Sequence, residues 1–145
     1  MFLGKYSTSL NKDGRFTPPP AYGQQLSGGV FILRGFERNL FVFPHGPFEA
    51  IYRSLTAQNI ADPLARLLLR LLIGTAYELG LDAGGMLTIP AELKEFADLA
   101  QDVLLVGQGD YFEVWQPDLW KKQEIQLNDV GANSSRFSAL MVATR

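Results

Sequence analysis

The sequence predicts a mainly β fold with short helices, α+β in class, built from two tandem copies of one unit. Three observations carry that prediction. The stretch LNKDGRFTPP, residues 10–19, returns as LDAGGMLTIP, residues 81–90, with Leu10, Gly14, Thr17 and Pro19 recurring as Leu81, Gly85, Thr88 and Pro90. At an offset one residue longer, Phe31, Ile32 and Gly35 return as Val103, Leu104 and Gly107, and Leu40, Val42 and Phe43 as Phe112, Val114 and Trp115. Finally, VFILRGFERNLFVFP and DVLLVGQGDYFEVW each read as two apolar strands around a turn, Gly35 to Asn39 in one and Gly107 to Asp110 in the other. Self-similarity of this kind marks a repeated structural unit.

Within each copy the local signals run strand, tight turn, strand, short helix, strand, turn, strand, helix. Asp13-Gly14 and Gly84-Gly85 supply the tight turns, because glycine accepts the positive φ that such turns need. AELKEFADL, residues 91–99, places Leu93, Phe96 and Ala97 on one helical face. Its counterpart PAYGQQLSGG contains Gly23 between prolines and further glycines, and predicts a single helical turn. The last helix of each copy is expected to start at a proline, Pro47 or Pro117. Phe48, Ile51, Tyr52 and Leu55 follow the i, i+3, i+4, i+7 rule, as do Leu64, Leu67, Leu68, Leu71 and Leu72 after the cap and first-turn pair Asp62-Pro63. The expected organisation is a first unit over 1–50, a helical connection over 51–73, a second unit over 74–120 and a C-terminal tail over 121–145. Neither unit is large enough to close a core alone, so the two must pack together or exchange parts.

Composition narrows the function. The chain has 145 residues, 47% apolar and 19% charged, with a net charge of −2, which argues against a generally basic nucleic-acid coat but leaves room for a local basic patch. It has no cysteine, hence no disulfide, no thiolate nucleophile and no cysteine-held zinc. The most apolar run, Leu64 to Ile73, contains Arg66 and Arg70 and is about half the length of a membrane span. MFLGKYSTSL lacks the basic and apolar regions of a signal peptide. The expectation is a soluble cytoplasmic protein. His45 is the only histidine, at the entry to a helix, and no histidine–carboxylate set, serine elbow or helix-borne acid pair is visible. No catalytic residue, metal or cofactor is expected.

The order and spacing of MFLGKYSTSL, KDGR-x-T-x-P and LRGFERNLFVFP, then LIGTAYELGLD-x-G-G, LTIPAEL and VLLVGQGDYFEVW, resemble the MraZ family over residues 1–120. The resemblance implies tandem swapped-hairpin β-barrel units of the AbrB/SpoVT type, related by a pseudo-two-fold internal repeat. It implies a cytoplasmic, nucleoid-associated repressor of the division and cell-wall gene cluster. Such a protein binds repeated operator sites on double-stranded DNA as a ring-shaped homo-oligomer, without a cofactor or a membrane.

A D-x-x-x-R element in each unit is the family's hallmark, and this chain departs from it twice. The first copy reads Asn11-Lys12-Asp13-Gly14-Arg15 and the second Asp82-Ala83-Gly84-Gly85-Met86. Asparagine keeps the turn-forming acceptor but not the charge, so Arg15 is expected to lack one local counterion, with Asp13 the candidate to supply another. Methionine cannot contact a phosphate or a guanine edge, and Met86 is expected to be a strand residue covering apolar surface. By charge, the first turn is positive and the second negative. The candidate DNA-binding set is therefore Arg15, Asn11, Lys12, Gly14, Lys5 and Asp82, the last of them present to orient an arginine introduced at position 86. DNA binding is expected mainly through the first unit. The alternative is a ring that has lost operator recognition and serves as a protein scaffold.

Other features carry plainer expectations. Arg34 and Arg38 flank a turn and are expected to pair with Glu37. Pro18-Pro19-Pro20 is a rigid strand exit, and Gly107-Gln108-Gly109 is too weak a signal for a phosphate loop.

Overall fold

A computed structural model describes residues 1–143. In chain order it contains β1 (Lys5–Ser9), β2 (Arg15–Phe16), α1 (Pro20–Leu26), β3 (Val30–Arg34), β4 (Leu40–Pro44), α2 (His45–Thr56) and α3 (Pro63–Leu72). There follow β5 (Tyr77–Leu79), β6 (Leu87–Thr88), α4 (Ala91–Phe96), β7 (Asp102–Gly107), β8 (Phe112–Trp115), α5 (Pro117–Asn128), α6 (Val130–Arg136) and a 3-10 turn over Phe137–Ala139. Apart from α3, which connects the copies, and the elements after α5, this is the predicted order repeated twice.

The sheet turns the repeat into symmetry. Six strands run β1-β7-β8-β4-β3-β5, every neighbour antiparallel, and β2 pairs with β6 in a separate ribbon. Exchanging β1 with β5, β3 with β7 and β4 with β8 reverses the order without changing it. A pseudo-two-fold axis therefore crosses the β4–β8 ladder at Phe41↔Glu113 and the ribbon at Phe16↔Leu87, each a residue facing its own repeat equivalent. The first strand of each unit pairs with the other unit, β1 with β7 and β5 with β3. This exchange, completed within one chain, is how two units too small to fold alone share a core.

Alternation along the strands sorts side chains to two sides. Val30, Ile32, Leu40, Val42, Val103, Leu105, Phe112 and Val114 join Phe16, Leu87, Tyr22 and Leu93 in the main core, beneath the ribbon, α1 and α4. Phe31, Leu33, Phe41 and Phe43 face α2 and α3 on the opposite side, where Phe48, Leu55 and Leu72 meet them. Val106 and Trp115 meet Trp120 of α5. Coverage of both faces explains why these strands read as unbroken apolar runs.

Local expectations are adjusted in six places. Helix α1 extends over seven residues rather than one turn. Buried Tyr22 anchors it, donating its hydroxyl to the Leu3 carbonyl at 3.0 Å and packing against Phe2, Tyr6 and Phe112, so tertiary contacts outweigh the roughly 1 kcal/mol cost of Gly23. Helix α2 starts at His45, with Pro47 inside the first turn, where a missing N–H costs nothing. In α3, Asp62 caps the Leu64 N–H at 2.9 Å as expected, but the leucine stripe divides. Leu68, Leu71 and Leu72 pack inward, whereas Leu64 and Leu67 are 70% and 59% exposed. Arg34 does not pair with Glu37; its guanidinium lies 3.7 Å from the centre of the Phe96 ring. Met86 lies just before strand β6 rather than within it, half-buried. The helix begun at Pro117 runs on to Asn128, and Asp129 then caps α6 through the Ala132 N–H, so described parts of the tail are helical. The tail's last two positions, Thr144 and Arg145, lie outside the described residues.

Candidate nucleic-acid interface

The ribbon β2–β6 brings the two hallmark turns side by side, and their backbones are the same. Asn11 accepts the Gly14 N–H with its carbonyl at 3.0 Å and donates its own N–H to the Arg15 carbonyl at 2.9 Å. Asp82 repeats this with Gly85 and Met86, both at 2.9 Å. Each turn is tied a second time by one side-chain oxygen. Asn11 Oδ1 accepts the N–H groups of Asp13 and Arg15 at 2.9 and 3.0 Å, and Asp82 Oδ1 those of Gly84 and Met86, both at 2.9 Å. Gly14 and Gly85 stand at φ of +74° and +76°, which is why glycine recurs there. One oxygen therefore holds the turn, and an asparagine serves as well as an aspartate.

The second side-chain atom makes the difference. Asp82 Oδ2 crosses to the first unit and meets Arg15 Nη1 at 3.4 Å, an ion pair at the long end of hydrogen-bonding distance. This corrects two expectations. The counterion of Arg15 is Asp82 of the other unit, not Asp13, and Asp82 is committed to Arg15 rather than waiting for an arginine at position 86. The reason is the ribbon register: Arg15 lies opposite Thr88, which carries its side chain onto the second turn. The pair is partly solvated, with Arg15 45% and Asp82 33% exposed, so its contribution to folding is small. Arginine has five N–H donors and this contact uses one, leaving the rest for an anion. The charges of the two turns, opposite when each is read alone, cancel in the assembled site.

The other candidates divide. Lys12 is exposed on the first turn beside Asp13. Gly14 supports the ribbon, its carbonyl accepting the Ile89 N–H at 2.8 Å, and an added Cβ would approach the Ile89 carbonyl to 3.3 Å. Asn11, Lys12, Gly14, Arg15 and Asp82 thus form one cluster. Lys5 does not join it. It lies at the far end of β1, roughly 13 Å along the strand from Ser9 at the usual rise per residue, with its ammonium 5.9 Å from the Trp120 ring centre.

A second polar cluster, missed in the sequence, sits where the axis crosses the sheet. Glu113 and Asn39 are almost fully buried. Glu113 Oε1 accepts from Gln108 Nε2 and Trp115 Nε1, both at 3.1 Å, and Oε2 accepts from Asn39 Nδ2 at 3.0 Å. Burial pushes the Glu113 carboxyl above its ordinary range, against the lowering effect of its donors. The nearest signal was a glutamate inside the apolar run YFEVW.

Among the described residues no three or more histidines, cysteines or carboxylates are grouped to hold a metal, and no helix is long and apolar enough to cross a membrane.

Fold and site together define an internally duplicated, hairpin-exchanged protein with two juxtaposed turns. The family model described as "MraZ protein, putative antitoxin-like" matches this chain twice, over residues 1–71 and 72–138, and the second match continues past residue 120. A transcriptional regulator MraZ of Roseiflexus castenholzii is 35% identical over 145 residues, spanning 100% of this chain and 99% of the relative. The protein of that name from Rhodococcus jostii is 34% identical over 138 residues, 95% and 92% of the two chains. Its namesake in Mycolicibacterium smegmatis is 34% identical over 139 residues, 96% and 93% of the two chains. The chain belongs to the MraZ family.

Proposed function

We propose that the chain is a DNA-binding transcriptional regulator, not an enzyme, working in the cytoplasm on the nucleoid. In this reading it represses by binding repeated operator sites of the division and cell-wall gene cluster as a ring-shaped homo-oligomer. Residues 1–50 and 74–120 are its two units, 51–73 their connection and 121–145 an extension. The observation that carries the reading is the half-exposed Arg15 guanidinium, held by Asp82 at the juncture of the two turns with donors to spare. Contact is made mainly by the first unit, because Met86 offers no cation on the second. A ring would repeat a modest contact over repeated sites and gain avidity. Exposed Ile60, Leu64 and Leu67 support association of copies.

A mobility-shift titration on the DNA upstream of the protein's own gene, across salt concentrations, tests this. Binding should weaken steeply as salt rises, because neutralised phosphates release counterions. The scaffold reading, favoured by the cancelled charge of the paired turns and the same apolar residues, predicts no shift at any salt. Light scattering tests the ring: only monomer at micromolar concentration and moderate salt would remove it.

A further inference from the structure

The axis through Phe16↔Leu87 carries Arg15 onto Met86 and Asp82 onto Asn11. The Arg15–Asp82 contact therefore has a symmetry mate, Met86–Asn11, with full opposite charges on one side and a thioether with an amide on the other. We infer that positions 11 and 86 are a vacated ion-pair site, coupled across the two units, and that Asp82 is the positioning residue for the one guanidinium left. The positioning role rests on the DNA-binding reading above; the vacated pair rests on symmetry and charge alone.

Turn formation cannot account for the choice of asparagine, because Asn11 Oδ1 and Asp82 Oδ1 make the same pair of backbone contacts. The choice acts through the second atom. Asp82 Oδ2 has a guanidinium to meet, whereas Asn11 Nδ2 donates no hydrogen bond among the described residues. A carboxylate at position 11, related by the axis to Asp82 but with Met86 in the place of Arg15, would have no cation across the ribbon. A guanidinium at position 86 facing an amide donor would lack its counterion. Only a joint exchange keeps the charges balanced. The paired turns thus present one oriented cation per protomer, off the axis, where the fold has places for two.

The test uses the full chain and the variants N11D, M86R, N11D/M86R and D82N. Each is melted at low and high salt and titrated with two duplexes, the upstream DNA and an unrelated sequence of equal length. At low salt N11D/M86R should melt about 1–3 °C above the sum of the single shifts, and the excess should fade at high salt, as one exposed pair implies. D82N should melt close to the parent, since the amide oxygen keeps the turn as Asn11 does. Its preference for the upstream duplex should nevertheless fall several-fold, because an unpinned guanidinium still meets phosphate but not one chosen base edge. Additive melting shifts overturn the coupled site. An unchanged preference in D82N overturns the positioning role. If melting is coupled but neither the parent nor any variant binds either duplex, the vacated pair stands, and the positioning role falls with the DNA-binding reading.

Discussion

The pseudo-two-fold axis crosses facing repeat equivalents twice, and the repeat is broken near both crossings. At the ribbon the break is solvated: Arg15 and Asp82 on one side, Met86 and Asn11 on the other. At the sheet it is buried: Glu113 faces Phe41 and is held by Asn39, Gln108 and Trp115. A solvated charge pair adds little to folding and is free to meet a partner. A buried carboxylate that already accepts from three neutral donors of both units ties the units together. The second belongs to the fold, and the first is the one the proposed DNA contact uses.

The sharpest way to break this division is Glu113→Ala. It strands the Asn39 amide and the Trp115 N–H in the core and should cost about 2–4 kcal/mol by chemical denaturation. Folded Glu113→Ala should still bind DNA, because the paired turns are untouched; a stability equal to the parent's would refute the structural role. Next in size, Gly14→Ala forces a side chain to a φ of +74° against the Ile89 carbonyl, a cost of roughly 1–2 kcal/mol. The matching change Gly85→Ala has open space around the new Cβ and should cost less. Equal melting losses would show that the close approach to Ile89 is unimportant.

A smaller effect separates charge from shape at the sheet. The Glu113 carboxyl is raised by burial, so the folded state holds its proton more tightly than the unfolded chain does. Its contribution is fully present below the ordinary carboxylate value and is lost as pH rises through the folded value. Glu113→Gln should remove this fall, so the parent minus variant stability should decline with rising pH across that window. A difference independent of pH would mean that the carboxylate is not destabilised by burial. Smallest of all, Lys5→Ala should leave the salt dependence of DNA binding unchanged, since Lys5 lies by Trp120. Lys12→Ala should lower the slope by about one if it meets a phosphate.

The same contrast governs what could be read from the sequence. Strands β3, β4, β7 and β8 were legible because cover on both faces makes them continuous apolar runs between turn formers. The Asp62-Pro63 start of α3 and the turn glycines were legible because their chemistry is local. Helix α1 was underestimated, since Tyr22 wins its stability from residues distant in the chain. The outward Leu64 and Leu67 could not be told from their inward neighbours by spacing alone. In the site, Asn11, Gly14 and Arg15 were visible in the motif. The Arg15–Asp82 contact was not, because it joins residues far apart in sequence through a ribbon whose register exists only in the fold.

The two turns share one backbone frame, and only the first carries an arginine. Titrating the parent, Arg15→Ala and Met86→Ala on the upstream duplex at one fixed salt, with melting curves beside them, shows whether that asymmetry governs binding. A single arginine contact is worth about 1–3 kcal/mol, and the proposed ring would repeat it in every protomer on the DNA. Arg15→Ala should therefore nearly abolish binding at a close to unchanged melting temperature, while Met86→Ala should bind like the parent. Loss of binding in Met86→Ala with Arg15→Ala unaffected would reverse the asymmetry, and indifference to both would favour the scaffold.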